Sequence, residues 1–550
     1  MRKTSFFLLS LPLFLLLAVL VLCPLIMVLA ETAGSSGDGS ALSRIWQTLA
    51  QPENLRTIGN SLQLGTAVVA VSTVIAAPLA WLLARTEISR CRWLELAFMI
   101  PFMTPPYISS MGWILFMQRN GLCQQMFPWF GRLSEGFFSF WGLALVMGLH
   151  VFPFMLLMLR NAMLCIGQGL EDAGAVFGAG FAGRIRRIFV PLLLGNYAVG
   201  ALLVFVKTLS EYGTPATLGQ RIGFFVFTTD IHRYSTTAPV DFGRAATLST
   251  ALTLICLVMW LAQSAISRRH SYRLVGGKGV KMSSAPLRPA VRTCAWCGVW
   301  LVLLLSIGVP FFSVISTSLI KLRGYGLALD NLTFAHYVEL FTDNPKAVQA
   351  ILVSAGTAFA AATISAVLGT VVAFVVNRSR NGMGRVLEGV SLLPEMLPGI
   401  VMVIGLMLFW NLVYDVVPLY NSPGMLVVAF VALFLPFTVQ YVGSSLAGVS
   451  ESLVAAARVF GASPWQIFRR VLVPLVFRGI AAGWAMTFII SFRELVAPSM
   501  MAPPGVLSIS TFIVREFEQG SVSTGMAMAV ICVLLTTGAL ALMNVFGRKR

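Results

Sequence analysis

The sequence predicts an all-α membrane protein in which about twelve transmembrane helices form two parallel six-helix repeats. Three observations lead to this fold class. Hydrophobic residues make up 57% of the 550 residues and charged residues only 11%, against about 25% charged residues in soluble domains. The apolar residues gather in segments close to the length of about 20 residues that crosses the hydrocarbon core of a bilayer. The two halves of the chain also share matched motifs.

The first apolar run covers residues 6–30 and follows Arg2 and Lys3. It is longer than the about 7–15 apolar residues of a signal peptide. We therefore expect a retained spanning helix, although Ala30 followed by Glu31 resembles a cleavage site. Eleven further spans are expected near residues 60–84, 93–117, 138–160, 192–212, 245–266, 294–318, 350–376, 386–410, 424–447, 475–495 and 525–546.

Positive charge indicates the orientation of these spans, because Lys and Arg accumulate in the cytoplasmic loops of membrane proteins. With the N-terminus inside, most of the 39 Lys and Arg residues fall in segments on the cytoplasmic side. Both termini and both repeated loops described below are then cytoplasmic. This topology explains the net charge of +18, so the charge does not indicate a nucleic-acid partner.

Several classes of function have no motif in the sequence. There is no GxxxxGK[ST] motif for ATP binding, and no catalytic triad, pair of catalytic carboxylates or spaced cluster of metal ligands. Cys294 and Cys297 form a lone CxxC at the start of a hydrophobic segment, which packing explains better than metal or redox chemistry. The sequence therefore predicts no enzyme activity, no cofactor and no metal site.

The most informative stretch of the chain occurs twice, at a constant offset of 283 residues. The first repeated segment (residues 170–191) reads LEDAGAVFGAGFAGRIRRIFVP, and the second repeated segment (residues 453–474) reads LVAAARVFGASPWQIFRRVLVP. Each is predicted to begin with a short helix that ends at Gly178 or Gly461, since Gly is favoured just after a helix. A second stretch then reaches Pro191 or Pro474, where the next span is expected to begin. A merely solvated basic loop would explain the charge but not the matched Ala, Gly and Pro positions.

Further matches divide the chain into two halves and a linker. Pro101 and Pro105 align with Pro394 and Pro398 at an offset of 293. The predicted domains are a first half at 1–270 with its loop at 161–191, a basic cytoplasmic linker at 271–292, and a second half at 293–550 with its loop at 448–474. Parallel halves of this kind normally enclose one central route.

Ionisable residues near the ends of two spans are candidates for the translocation route. A charged side chain at the bilayer centre costs at least about 2.5–3.5 kcal/mol and usually faces a cavity. Lys207 and Glu211 lie four residues apart on one expected helix face, ahead of Pro215, and Arg493 and Glu494 lie at the matching place ahead of Pro498. Two interpretations remain open: these groups line the route and its gate, or they extend from the outer rim of the bilayer into water.

The repeated segments resemble the EAA loop of the permeases of binding-protein-dependent ABC importers. In that family the loop is a coupling helix that docks in a cleft of a cytoplasmic ATPase subunit. The resemblance implies an ATPase-coupling role for the matching positions, and this sequence departs from the motif with Asp172, Gly174 and Val454. The implied residues are Glu171, Asp172, Ala173, Gly174, Gly178 and Pro191 in the first segment, and Ala455, Ala456, Ala457, Gly461 and Pro474 in the second.

Among fused twelve-span permeases, the chain most resembles the ferric-iron type, through EYGTPATLG (211–219) and FRELVAP (492–498). The resemblance implies a bacterial inner-membrane permease that works with two ATPase copies and a periplasmic solute-binding protein. Permeases for phosphonates, sugar phosphates, thiamine and polyamines share this architecture. An ion-coupled secondary transporter with six-plus-six helices is the alternative of another class, and it gives no reason for duplicated EAA-like loops.

Overall fold

The computed structural model describes residues 3–34, 41–91, 93–269, 286–378 and 382–548. These residues are overwhelmingly helical, and an isolated β-bridge joins Ile320 and Leu332. The predicted all-α, multi-span fold class is confirmed. Most of the predicted basic linker, residues 271–285, lies outside the described part of the chain.

Ten helices among the described residues are long and apolar enough to cross a membrane. Shorter helices between them matter for the site and carry labels too. In chain order the helices used below are α1 Ser10–Gly34, α2 Pro52–Arg85, α3 Pro106–Met117, α4 Phe140–Cys165, α5 Gln168–Val176, α6 Phe181–Ser210, α7 Phe227–Thr236, α8 Phe242–Arg269, α9 Pro289–Leu319, α10 Pro345–Arg378, α11 Gly382–Met396, α12 Gly399–Leu412, α13 Pro423–Ala447, α14 Glu451–Val459, α15 Trp465–Phe492, α16 Val496–Met501, α17 Ile509–Glu518 and α18 Val522–Arg548.

Two of the twelve expected spans are broken rather than continuous. The expected span at 386–410 is the pair α11 and α12, bent by 110°, and the span at 93–117 is divided between Trp93–Met103 and α3. Pro105 and Pro398 stand immediately before α3 and α12 in an extended conformation, with ψ of 130° and 131°. Proline has no N–H for the helical ladder and disfavours helical backbone in the residue before it, so both spans break at the same point of the repeat.

One compact unit contains residues 52–229 and 254–332. In it α2 packs along α4, and α6 packs on both. The later part of α9 packs on α3, where Gly112 lies so close to Pro310 that a Cβ atom would be 2.6 Å from the Pro310 carbonyl oxygen. Glycine at this position therefore permits the close approach of the two helices.

The other compact unit contains residues 1–51, 230–253 and 333–550. Its centre is formed by α10, α13 and α15, and α1 packs on α12. Gly405 of α12 faces Pro24 of α1, and a Cβ atom there would be 2.5 Å from the Pro24 carbonyl oxygen. Each compact unit thus includes the first span of the other predicted half, so the units differ from the halves. The boundaries at 270 and 293 describe the sequence repeat and stay a prediction.

Candidate functional site

The first repeated segment contains a nine-residue helix, α5, that ends in a left-handed turn. Phe177 leaves the helix, and Gly178 has φ of +78°, a conformation that glycine adopts without the steric cost of a side chain. The Ala179 N–H then donates to the Gly174 carbonyl at 2.9 Å. This bond satisfies one of the carbonyls left open at the helix end.

The second repeated segment has the same geometry. Helix α14 ends at Val459, Gly461 has φ of +78°, and the Ala462 N–H donates to the Ala457 carbonyl at 3.0 Å. The helix ends that the sequence predicts at Gly178 and Gly461 are therefore found in both segments. The two loops are copies in backbone conformation as well as in sequence.

The expected starts of the following spans at Pro191 and Pro474 are wrong. Helix α6 already begins at Phe181 and α15 at Trp465, and both run through the proline without a break. A π turn precedes each proline, at Ile185–Phe189 and at Phe468–Leu472. Such turns use hydrogen bonds to the fifth residue and widen the helix, which accommodates a residue that has no N–H to donate.

The tips of both loops expose large apolar side chains. Val176 and Phe177 are 85% and 90% exposed, and their counterparts Val459 and Phe460 are 86% and 89% exposed. The sequence shows this Val-Phe pair as part of the repeat but carries no sign of its exposure, because apolar pairs are common throughout the chain. The same Val-Phe pair is thus exposed at matching places of the repeat.

Charged side chains hold the first segment to its unit. The Glu171 carboxylate lies 3.4 Å from Arg184 and 3.8 Å from Arg85. The buried Arg85 side chain also donates to the carbonyls of Met163 and Ile166 at 2.8 and 2.7 Å. The motif acid of the first segment is thus paired within the chain, and it ties α5 to the ends of α2 and α4.

Apolar side chains stand in the same places in the second segment. The counterparts of Glu171 and Arg184, 283 residues later, are Val454 and Ile467, which are 5% and 4% exposed. The helix α14 that carries Val454 packs against the start of the following helix. Both members of the ion pair are therefore replaced together. Glu451 is exposed at the start of α14.

The other motif positions divide between exposed and packed residues. Asp172, Ala173, Ala455 and Ala456 are exposed, and Gly174 and Ala457 are partly buried. A Cβ atom on Gly174 would lie 2.8 Å from Cδ1 of Ile188, whereas the counterpart of Ile188 in the second segment is the shorter Val471. The larger side chain on α6 thus accounts for Gly174 where the second segment has Ala457.

The two acids near the ends of α6 and α15 cap the turns that follow these helices. The Glu211 carboxylate accepts the Thr214 N–H at 3.0 Å, and the Glu494 carboxylate accepts the N–H groups of Val496 and Ala497 at 2.9 and 2.8 Å. A carboxylate is a favourable acceptor there because the first N–H groups of a helix have no partner within it.

The position of these acids corrects part of the prediction for the translocation route, which placed Lys207 and Glu211 on one helix face. Helix α6 ends at Ser210, so Glu211 lies beyond the helix with ψ of 132° and does not continue the face of Lys207. Arg493 likewise follows the last residue of the helix before Glu494. Pro215 and Pro498 are buried within the capped turns, and the chain leaves the helix before each proline. The interpretation of these residues as a gate stays a prediction.

Hydroxyl groups that the sequence did not single out complete both capped turns. Thr228 donates to the Glu211 carbonyl at 2.8 Å, and Ser510 donates to the Glu494 carbonyl. The N–H groups that begin α7 and α17 donate to Ser61 and Ser354 at 2.8 and 2.9 Å. We call the sets Ser61–Glu211–Thr228 and Ser354–Glu494–Ser510 the first and second joints. Isolated Ser and Thr residues in apolar helices give no sequence signal for such a set.

Comparisons with known proteins identify the family. Residues 365–550 match the family model of the binding-protein-dependent transport system inner membrane component. A putative ferric transport system permease protein, FbpB 1 of Haemophilus influenzae, is 26% identical over 82% of this chain and 71% of its own length. The ferric transport system permease protein FbpB of Actinobacillus pleuropneumoniae is 24% identical over 91% of this chain and 72% of its own length. The chain is a two-half permease of the binding-protein-dependent transport family.

Other relatives of the permease match one half of it. The spermidine/putrescine transport system permease protein PotC of Haemophilus influenzae is 27% identical over 44% of this chain and 91% of its own length. A permease of that length corresponds to a single repeat, in agreement with the matched motifs of the two halves. The permease is a multi-pass protein of the inner membrane and a transport subunit.

The described part of the permease contains no group of three or more His, Cys, Asp or Glu residues placed to hold a metal ion. Cys294 and Cys297 are both exposed at the start of α9. The features that the two repeats share are the exposed apolar tips, the capped joints, and the helices α6 and α15 that connect them.

Proposed function

We propose that this permease is the membrane subunit of an ATP-driven importer that takes ferric iron from a periplasmic binding protein into the cytoplasm. The observation that carries the proposal is the pair of identical loops, each ending in an exposed Val-Phe tip next to a left-handed glycine. Two copies of one ATPase subunit would present two identical clefts to these tips. ATP hydrolysis then belongs to that separate subunit.

The proposed mechanism follows the connection from tip to joint. Helix α6 begins within the first repeated segment, shortly after the turn at Gly178, and ends at the first joint. Helix α15 connects the second repeated segment to the second joint in the same way. A displacement of either loop by a closing ATPase therefore reaches its joint through one helix. We propose that the joints, with Lys207 and Arg493 beside them, form part of the gate.

Ferric iron is proposed as the solute because relatives that cover most of the chain are named as ferric transport permeases. Iron in this scheme is the cargo and not a resident cofactor. The polyamine transporter PotC covers less than half of the chain, so a polyamine is the competitor to include in an uptake assay.

The experiment that tests the proposal combines capture and uptake. The full-length permease is expected to co-purify with its ATPase, and the paired variant V176S/F177S with V459S/F460S is expected to lose the ATPase while keeping its own melting temperature, since these side chains are already exposed. Proteoliposomes with the ATPase and binding protein should take up ferric iron only with ATP. Uptake by the permease alone on an ion gradient would establish the secondary-transporter alternative instead.

A further inference from the structure

A large apolar crevice lies between spanning helices of the unit that carries the first repeated segment. Its volume is about 1190 Å³, and its walls come from α2, α4, α6 and α9. Trp81, Phe181, Phe189 and Leu301 are typical lining residues. The Thr73 hydroxyl also lines it, but this group already donates to the Val69 carbonyl at 2.7 Å and lies 3.3 Å from the Tyr197 hydroxyl.

The chemistry of this crevice excludes water as its stable occupant. An ordered water needs two to four polar partners, and the walls have almost none to offer. An empty crevice would leave its lining without dispersion contacts. The volume exceeds the range of about 300–1,000 Å³ found for drug-sized ligands. Since the walls are membrane-spanning helices, a long hydrocarbon chain from the bilayer has both the size and the chemistry to fill it.

Basic residues adjoin lining residues of the crevice along the chain. Arg186 and Arg187 follow the lining residue Ile185, and Arg288 and Arg292 flank the lining residues Ala290 and Val291. All four arginines are exposed, and Glu87 lies 3.4 Å from Arg292. The rim therefore has an excess of positive charge. Basic pockets between spanning helices are the places where anionic lipid headgroups bind.

We propose that this crevice is a binding site for an anionic phospholipid. The acyl chains lie between α2, α6 and α9, and the phosphate contacts the four rim arginines. Phe181, Ile185 and Phe189 form one wall and lie at the start of α6, within the first repeated segment. A bound lipid is thus part of the support beneath that loop.

The first test introduces a larger side chain that occupies the apolar part of the crevice. Gly298 lines the crevice, and a Cβ atom there would meet no atom within 4 Å, so Gly298→Phe is expected to occupy part of the crevice with a ring. Leu304→Phe is the control, because Leu304 lies on the same helix and is 57% exposed outside the crevice. Native mass spectrometry of the full-length protein from nanodiscs with phosphatidylglycerol should show a retained lipid in the wild type and in L304F, and its loss in G298F.

The second test changes arginines of the rim and uses the matching arginines of the second repeated segment as the control. The double variant R186Q/R187Q should retain less phosphatidylglycerol and keep its binding of phosphatidylcholine, while R469Q/R470Q, the matching pair in the second segment, should change neither. Gel filtration of each variant separates lipid loss from misfolding. Equal retention of the two lipids by the wild type, or full phosphatidylglycerol retention in both G298F and R186Q/R187Q, would overturn the proposal.

Discussion

At the scale of single residues, the paired exchange of Glu171 and Arg184 for Val454 and Ile467 is the most informative difference between the halves. Two oppositely charged residues or two apolar residues are both compatible with these two positions, but one charged and one apolar residue are not. A charge left without its partner in a partly buried place costs about 1–3 kcal/mol. The two loops are therefore held by different forces although their backbones match.

We predict that Glu171→Val alone destabilises the permease by about 1–3 kcal/mol, because Arg184 and Arg85 lose their shared carboxylate. The double variant E171V/R184I copies the second segment and should recover most of that loss. Arg85 keeps its bonds to the Met163 and Ile166 carbonyls in both variants. Thermal unfolding of the four proteins of this double-mutant cycle measures the coupling.

The reverse change in the second segment is the matched control. Val454→Glu should destabilise by placing a carboxylate at a buried apolar position, and V454E/I467R should recover part of the stability. Strictly additive effects in both cycles would show that the two positions do not act as a pair.

Gly178 and Gly461 provide a second test at this scale. A side chain in the left-handed conformation costs about 1–2 kcal/mol, and the space around both residues is open, so the penalty comes from the backbone alone. We predict that the ATPase assembled with the G178V/G461V permease hydrolyses ATP without solute uptake, while G178N/G461N is closer to wild type because Asn tolerates this conformation. Coupled uptake by the valine variant at the wild-type rate would contradict the role of these turns.

At the scale of elements, the two joints show how an apolar helix can end inside the protein. Helices α6 and α15 stop at a carboxylate that caps the next turn, and a hydroxyl from a later helix holds the carbonyl of the same residue. The hydropathy of these segments indicates the spans but not their ends, since Ser and Thr are compatible with both helix and joint.

We predict that E211A/E494A lowers the rate of solute uptake while ATPase capture is unchanged. Loss of the caps should cost about 0.5–2 kcal/mol each, and the joints lie at the opposite ends of α6 and α15 from the exposed tips. The variant E211Q/E494Q keeps one acceptor oxygen on each side chain and should be intermediate. Uptake at the wild-type rate in the alanine variant would remove the joints from the transport mechanism.

At the scale of the whole molecule, the first span of each half belongs to the compact unit of the other half. Gly112 against Pro310 and Gly405 against Pro24 mark the two contacts, and the glycines are 293 residues apart. Packing between distant parts of the chain decides this exchange. The hydropathy of the sequence does not indicate this exchange of first spans, because it shows only that each segment is apolar.

We predict that residues 1–270 and 271–550, expressed as two chains, co-purify in mild detergent. Each compact unit contains a spanning helix from both fragments, so neither unit is complete within one fragment. Replacing Gly112 and Gly405 with Leu should weaken the association, because overpacking of this kind costs about 1–3 kcal/mol per site. Fragments that separate as stable, folded monomers would contradict the exchange.

The sequence by itself determined the fold class, the approximate positions of the apolar segments and the repeat of the two loops. These features follow from hydrophobicity, from the length of a bilayer-spanning helix, and from the special backbone of glycine, all of which act locally. Even the ends of α5 and α14 at Gly178 and Gly461 could be predicted in this way.

Only the tertiary structure decided the pairing of Glu171 with Arg184 and Arg85, the exposure of Phe177 and Phe460, the joints around Glu211 and Glu494, and the exchange of first spans. Each of these depends on which distant residues meet. The helix that continues through Pro191 belongs here as well, since a π turn accommodated the proline where local rules predicted a start. Contact between segments far apart in the chain is a property of packing, and a pattern of apolar residues leaves many packings open.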